Sequence, residues 1–344
     1  MTAAGAKPLA VTLGEPAGIG PEIIVKAWSA THGKGPAFFV VGDMDALAAA
    51  PGAHQAPLAR IAAPQEAAAV FADALPVLHR PLPAPATPGK PSPAAAKAVI
   101  GWIEEAVRLC LGREASGMVT APIAKAPLYA AGFGFPGHTE LLGELIRAAP
   151  WTEPRGPVMM LAAPGLRAIP VTIHEPLAAA PGLLTIERIV HAGQVAARAL
   201  AEDFAIAKPR LAVAALNPHA GESGALGREE IEIIAPACEA LRALGVDCMG
   251  PKPADTLFHE EARRGYDAVL CMYHDQALIP LKMLDFWGGV NITLGLPVVR
   301  TSPDHGAGFD IAGKGVARPD SLIAALDMAE AVAARRAKAR AKAA

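Results

Sequence analysis

Three histidines in this 344-residue chain share one setting: an apolar run, a polar break that contains the imidazole, then a helix-like segment. They are His174 in AIPVTIHEP, His219 in AVAALNPHAGE and His274 in VLCMYHDQ. In open α/β sheets ligands collect beyond the carboxyl ends of the strands, so three such strand ends predict three imidazoles in one place. Three neutral ring nitrogens that leave coordination positions open suit a catalytic divalent metal. Taken singly, each also fits a surface or loop-capping residue, because their wide separation in the chain is no local metal signature. Asp255 in GPKPADT and Asp275 beside His274 are carboxylates that can join such a metal, orient a ligand imidazole, or cap the helix that follows.

A second group of residues has anion-binding chemistry. In FPGHTELLGELI, Gly137, His138 and Thr139 stand at the start of a predicted helix, whose free N–H groups favour a phosphate or carboxylate; Thr139 also fits a plain N-cap. Lys282, Asn291 and Arg300 follow His274 within one compact stretch and offer a point charge, an amide donor and acceptor, and a planar fork. The opening loop GEPAGIGPE (14–22) has neither a G-x-G-x-x-G fingerprint nor a GK[ST]. Neither a Rossmann nor a P-loop mechanism can be read from it. Its glycines predict a tight strand-to-helix turn with exposed backbone amides.

These residues need elements to position them. Strand-type runs are predicted at 9–13, 37–42, 118–122, 157–163, 166–173, 210–216, 266–273 and 289–295, and helices at 21–30, 94–111, 138–148, 185–203, 228–244, 274–285 and 319–340. Their alternation predicts α/β layers with a largely parallel sheet. No internal repeat is present. Residues 76–93 carry seven prolines and read as an extended connection, neither helix nor central strand. The basic run VAARRAKARAKAA at the C-terminus reads as a solvated helix end.

A chain of this length exceeds the size at which a single core stops growing, which predicts two lobes. It is 52% hydrophobic and 19% charged, with a formal net charge of −2, so neither nucleic acid nor membrane is expected as a partner. The first residues form neither a signal peptide nor a spanning helix, which makes the cytoplasm the expected compartment. Cys110, Cys238, Cys248 and Cys271 contain no C-x-x-C pair and read as free thiols rather than a disulfide framework or zinc knuckle.

VTLGEPAGIGPE, PGHTE, ALNPHAGE, GPKPADT, MYHDQ and GVNITLGLPVVRTSPDHG occur in an order and spacing that resembles the 4-hydroxythreonine-4-phosphate dehydrogenase family of vitamin B6 biosynthesis over nearly the whole chain. The resemblance implies a two-lobed α/β/α subunit of the isocitrate and isopropylmalate dehydrogenase-like type, with the active site in the interdomain cleft of a homodimer and completed by the partner subunit. The expected lobes are 1–125 with 295–344, and 126–294 with the histidines and the dimer interface. Position by position it implies His174, His219 and His274 as metal ligands contributed by both subunits. His138, Thr139, Lys282, Asn291 and Arg300 become the substrate-binding set; Asp255, Lys282 or a metal-bound water are the candidates for proton transfer. Ala307 departs from the family pattern, in which Thr is expected.

The implied reaction is oxidation of 4-phosphooxy-L-threonine by NAD or NADP with one divalent metal (zinc, magnesium or cobalt) per active site. Its product is a 3-keto acid that loses CO2 to give 3-amino-2-oxopropyl phosphate. The cofactor-binding residues are not identified by any motif. The alternatives are a paralogue on the same scaffold acting on 4-phospho-D-threonate, 4-phospho-D-erythronate or a diol acid, a zinc hydrolase, and a non-catalytic phosphate-ligand binder.

Overall fold

The computed structural model describes residues 7–135 and 138–343, the side chains of 138–140 and 343 excepted. The chain divides into one unit of Met1–Pro150 with Leu296–Ala344 and another of Trp151–Gly295.

In the first unit, short buried runs make the strands: β1 (Leu9–Thr12), β2 (Phe38–Gly42), β4 (Leu75–His79, partly exposed only at His79), β5 (Met118–Thr120) and β12 (Arg300–Pro303), with the more exposed β3 (Leu58–Arg60) at one edge. Their order is β3-β4-β2-β1-β5-β12 and every pair is parallel. Burial on both faces is what crossover helices impose on a parallel sheet. Here they include α1 (Gly20–Thr31), which starts with Pro21 in its first turn, and α2 (Ala96–Leu111), preceded by Ser92, whose Oγ accepts from Ala94 N–H. α3 (His138–Leu145) packs against α2, and so 126–150, expected in the second lobe, falls in this unit. The last helix, α7 (Asp320–Ala343), is tied to β12 by the Thr301 hydroxyl donating to Ala325 C=O.

Strand β4 corrects the reading of 76–93 as a connection throughout. Pro76 lies inside a strand that has neighbours on both sides. It is tolerated because pairing with β2 begins only at Val40↔Val77, while toward β3 it is Leu75 N–H that donates, to Pro57 C=O. Beyond His79 the segment is irregular as expected, up to the turn at Pro93–Ala95.

The second unit has the order β11-β6-β7-β10-β8-β9, where β6 is Val158–Ala163, β7 Leu166–Pro170, β8 Arg210–Ala214, β9 Asp247–Lys252, β10 Ala268–Cys271 and β11 Val290–Leu294. β11, β6 and β7 pair antiparallel, whereas β7, β10, β8 and β9 run parallel. Pro164 and Gly165 connect β6 to β7, with Gly165 at φ +77. α4 (Ile186–Glu202) is capped by Thr185, whose side chain accepts from Arg188 N–H; α5 (Ala235–Ala243) and α6 (His274–Leu284) follow. Met159, Leu161, Ala168, Ala212, Val269, Cys271, Ala277 and Leu281 form the core between β6, β7, β8, β10 and α6. The mixed α/β architecture is as expected from the sequence. Among the described residues, no helix is long and apolar enough to cross a membrane, and the four cysteines are free thiols.

Candidate functional site

The strand register explains which histidines meet. β7 and β10 are parallel neighbours with Cys271 opposite Pro170, and the pairing continues past both strands: Val171 N–H donates to Cys271 C=O, and the Thr172 hydroxyl to Met272 C=O at 2.7 Å. His174, four residues past Pro170, and His274, three past Cys271, therefore emerge at adjacent strand ends with ring centroids 5.7 Å apart. Two imidazoles sharing one cation at about 2 Å each have a separation of this order. His274 opens α6, and its Nδ1 lies 2.7 Å from Asp275 Oδ1. A carboxylate partner makes Nδ1 the donor and leaves the Nε2 lone pair available, the arrangement that outer carboxylates give to metal-binding imidazoles. Asp275 thus orients the His274 imidazole through this hydrogen bond.

Gln276, which the sequence reading passed over, holds this corner together. Its Oε1 accepts from Met272 N–H and its Nε2 donates to Ala215 C=O, each at 2.7 Å, so one buried side chain ties the end of β10 to the end of β8. The signal was its place two residues after His274, just before the apolar run Ala277–Leu281.

His219 follows β8, on the other side of β10. The strand continues not into a plain loop but into a left-handed arch in which His219, Ala220, Gly221, Glu222 and Ser223 all have positive φ, from 43° to 78°. Left-handed backbone costs about 1–2 kcal/mol per residue that carries a Cβ, and such strain persists where its surroundings over-determine it. His219 is exposed on this arch. Among the described residues no three His, Cys, Asp or Glu side chains come close enough to hold a metal ion, so one chain brings His174 and His274 together without completing the predicted trio.

Lys282 lies two turns along α6 from His274, with its ammonium 5.2 Å from the centre of the Phe286 ring. Asn291 sits on β11, and its Oδ1 is buried without a hydrogen-bond partner, an acceptor that suits a ligand's donor. Asp255 is exposed on the short turn Ala254–Thr256, which packs near the His219 arch.

In the first unit, Arg300 is 3% exposed on β12 and donates to Thr120 Oγ1 through Nε at 3.2 Å and Nη2 at 2.7 Å. His138 and Thr139 open α3 as expected of the PGHTE motif; their side chains, and all of Gly137, lie outside the described residues.

The GEPAGIG loop differs from expectation. Its amides are occupied: Glu15 N–H donates to Pro122 C=O, Ala17 N–H to the Glu15 carboxylate, Gly18 N–H to Glu15 C=O and Ile19 N–H to Ala307 C=O. Gly14, at φ +72, passes so near Pro122 that a Cβ would lie 2.5 Å from its carbonyl oxygen. The loop is a structural turn, and Ala307, the departure from the family pattern, contributes to it a backbone carbonyl that any residue supplies. Burial pushes the Glu15 carboxyl above the usual range, and the Ala17 N–H only partly offsets this. Glu15, Ala17, Lys90 and Ser92 border a cavity of about 100 Å³.

Comparison with known proteins gives a consistent picture. Residues 34–329 match the family model described as pyridoxal phosphate biosynthetic protein PdxA. The chain is 66% identical over 330 residues to the 4-hydroxythreonine-4-phosphate dehydrogenase of Caulobacter vibrioides, covering 96% of this chain and 98% of that one. The crystal structure of 4-hydroxythreonine-4-phosphate dehydrogenase from Klebsiella pneumoniae superimposes with a TM-score of 0.82 at 39% identity, over 95% of this chain and all of that one. A terephthalate 1,2-cis-dihydrodiol dehydrogenase from Burkholderia xenovorans matches less well, with a TM-score of 0.61 at 30% identity over 95% and 98% of the two chains.

Proposed function

Since the chain belongs to the PdxA family of pyridoxal phosphate biosynthetic proteins and is an oxidoreductase of that family, we propose that it oxidises 4-phosphooxy-L-threonine with NAD or NADP and a divalent cation. The observation that carries this reading is the pairing of His174 with His274 at adjacent strand ends, with Asp275 fixing the tautomer of His274.

His174 and His274 of one chain hold the cation, and His219 of a second copy completes the set. A divalent cation held there, zinc, magnesium or cobalt, would supply Lewis acidity toward the substrate hydroxyl and the neighbouring carbonyl. His138, Thr139, Lys282, Asn291 and Arg300 bind the phosphorylated hydroxy acid, with the cations facing its anionic groups and Asn291 Oδ1 accepting from a hydroxyl or ammonium. Asp255 or Lys282 would take the hydroxyl proton, and a bound nicotinamide would supply the hydride acceptor. The resulting 3-keto acid loses CO2, and one of the same residues returns a proton to give 3-amino-2-oxopropyl phosphate.

The homodimer is supported by an apolar patch on the helix that starts at His274. Ile279, Met283, Phe286 and Trp287 are 62%, 82%, 59% and 50% exposed, on and just after α6. Contiguous exposed apolar surface of this kind marks a protein interface. The partner thus docks beside the two histidines that need a third ligand.

The test is NAD(P)H formation from 4-phosphooxy-L-threonine, with and without a chelator. Turnover that the chelator abolishes and added metal restores is expected; no turnover in any condition overturns the reading. Running 4-phospho-D-threonate, 4-phospho-D-erythronate and an unphosphorylated diol acid in the same assay ranks the alternative substrates.

A further inference from the structure

The arch that carries His219 is clamped by a buried carboxylate that the reaction itself does not use. Glu230 is 4% exposed. Its Oε1 accepts from two consecutive backbone amides, Leu216 N–H at 2.8 Å and Asn217 N–H at 2.7 Å, where the chain leaves β8. Its Oε2 accepts from Asn217 Nδ2 at 2.9 Å, and the other hydrogen of that amide goes to Glu229 Oε2 at 2.7 Å. The same Oε2 lies against Gly221 in the middle of the arch, only 2.6 Å from where a Cβ would stand. One carboxylate therefore bonds the entry to the left-handed run and packs against its centre. Four of the five arch residues carry a Cβ, so the run does not hold by preference and needs such an anchor.

The anchor has its own local device. Glu230 opens a π turn, Glu230–Ile234, closed by Ala235 N–H donating to Glu230 C=O, immediately before Pro236 in the first turn of α5. The sequence pattern predicts a single helix over 228–244. The wide turn interrupts it, and such turns recur at functional sites.

We infer that Glu230 is a positioning residue: it locks the 219–223 arch so that the His219 imidazole is presented in one fixed, solvent-facing place for the divalent cation. This rests on the reading of His219 as a metal ligand. The carboxylate is bonded to Leu216 and Asn217 and acts through the backbone that bears His219, as outer partners of metal sites do.

The test uses the full chain, stripped of metal and titrated with Zn2+ against a chromophoric chelator, and with Co2+ for its visible spectrum. In Glu230→Gln the amide oxygen still serves the two backbone N–H groups, but its NH2 then faces Asn217 Nδ2, donor against donor. Zn2+ affinity is expected to fall ~10-fold in this variant and ~100-fold in Glu230→Ala, with an altered Co2+ spectrum and with Glu230→Gln turnover restored by excess metal. His219→Ala is the control. If it loses affinity while both Glu230 variants stay within twofold of the parent, Glu230 is merely structural and the inference fails, though the ligand reading stands. If His219→Ala itself binds Zn2+ as the parent does, the ligand reading fails and takes the inference with it. Should Glu230→Ala not fold, Glu230→Gln decides alone.

Discussion

A single hydrogen bond sets the state of His274. With Asp275 Oδ1 2.7 Å from Nδ1, the imidazole is held in one orientation with its other nitrogen outward. Asp275 is well exposed, so its worth lies in direction more than in energy. Asp275→Asn keeps the shape and removes the charge, and its amide can turn a donor toward the ring. Divalent-metal affinity is expected to fall ~10-fold with little change in thermal stability, which a metal titration beside a melting curve checks. Unchanged affinity would remove Asp275 from the site.

At the level of elements, two contacts keep the strand ends in place. Gln276 satisfies Met272 N–H and Ala215 C=O, both buried; Gln276→Leu fills the same space and leaves both groups bare, at a cost of about 1–3 kcal/mol for each. Urea unfolding reads this directly, and a loss below 1 kcal/mol would show that water replaces the side chain. At the opposite ends of the same strands, Asp267 just before β10 binds Arg210 at the start of β8, with Oδ2 accepting from its backbone N–H at 2.8 Å. Burial alone would raise the Asp267 carboxyl, but the Arg210 side chain, its N–H and its charge together hold the group below the ordinary value of 3.8. A lowered carboxyl stabilises the fold above its unfolded pKa, and that contribution is lost as the pH falls through the folded one. Melting curves from neutral pH to below 3.8 are thus expected to show a smaller acid-induced loss in Asp267→Asn than in the parent, and equal slopes would discount the pair.

The whole molecule carries its apolar patch on the element that starts with a site residue. Met283 is the most exposed of the patch side chains, and placing a carboxylate there sets a charge against whatever covers it. On the proposed homodimer, Met283→Glu is expected to give a monomer in analytical ultracentrifugation. Turnover and metal affinity are expected to fall with it if, as proposed, His219 of a second copy completes the site. A monomeric variant with full turnover would show that one chain suffices.

The alternation of strand and helix patterns, the placing of His174 and His274 after strands, and the strand that carries Asn291 were legible in the sequence, because each depends on short-range periodicity. β4 was not, since seven prolines mask a strand whose Pro76 lies where pairing with β2 has yet to begin. β12, with the sequence RTSP, was hidden because it is buried by its neighbours rather than by its own composition. Equally illegible was the left-handed arch at 219–223, because Gly221 alone favours that backbone and the carboxylate that enforces it lies beyond the arch at Glu230. By itself the sequence determined which groups have the chemistry and that strand ends present them. The tertiary structure alone decided that His174 and His274 meet while His219 stands on a strained arch, because side-by-side placement follows from strand register and strain is held by contacts distant in the chain.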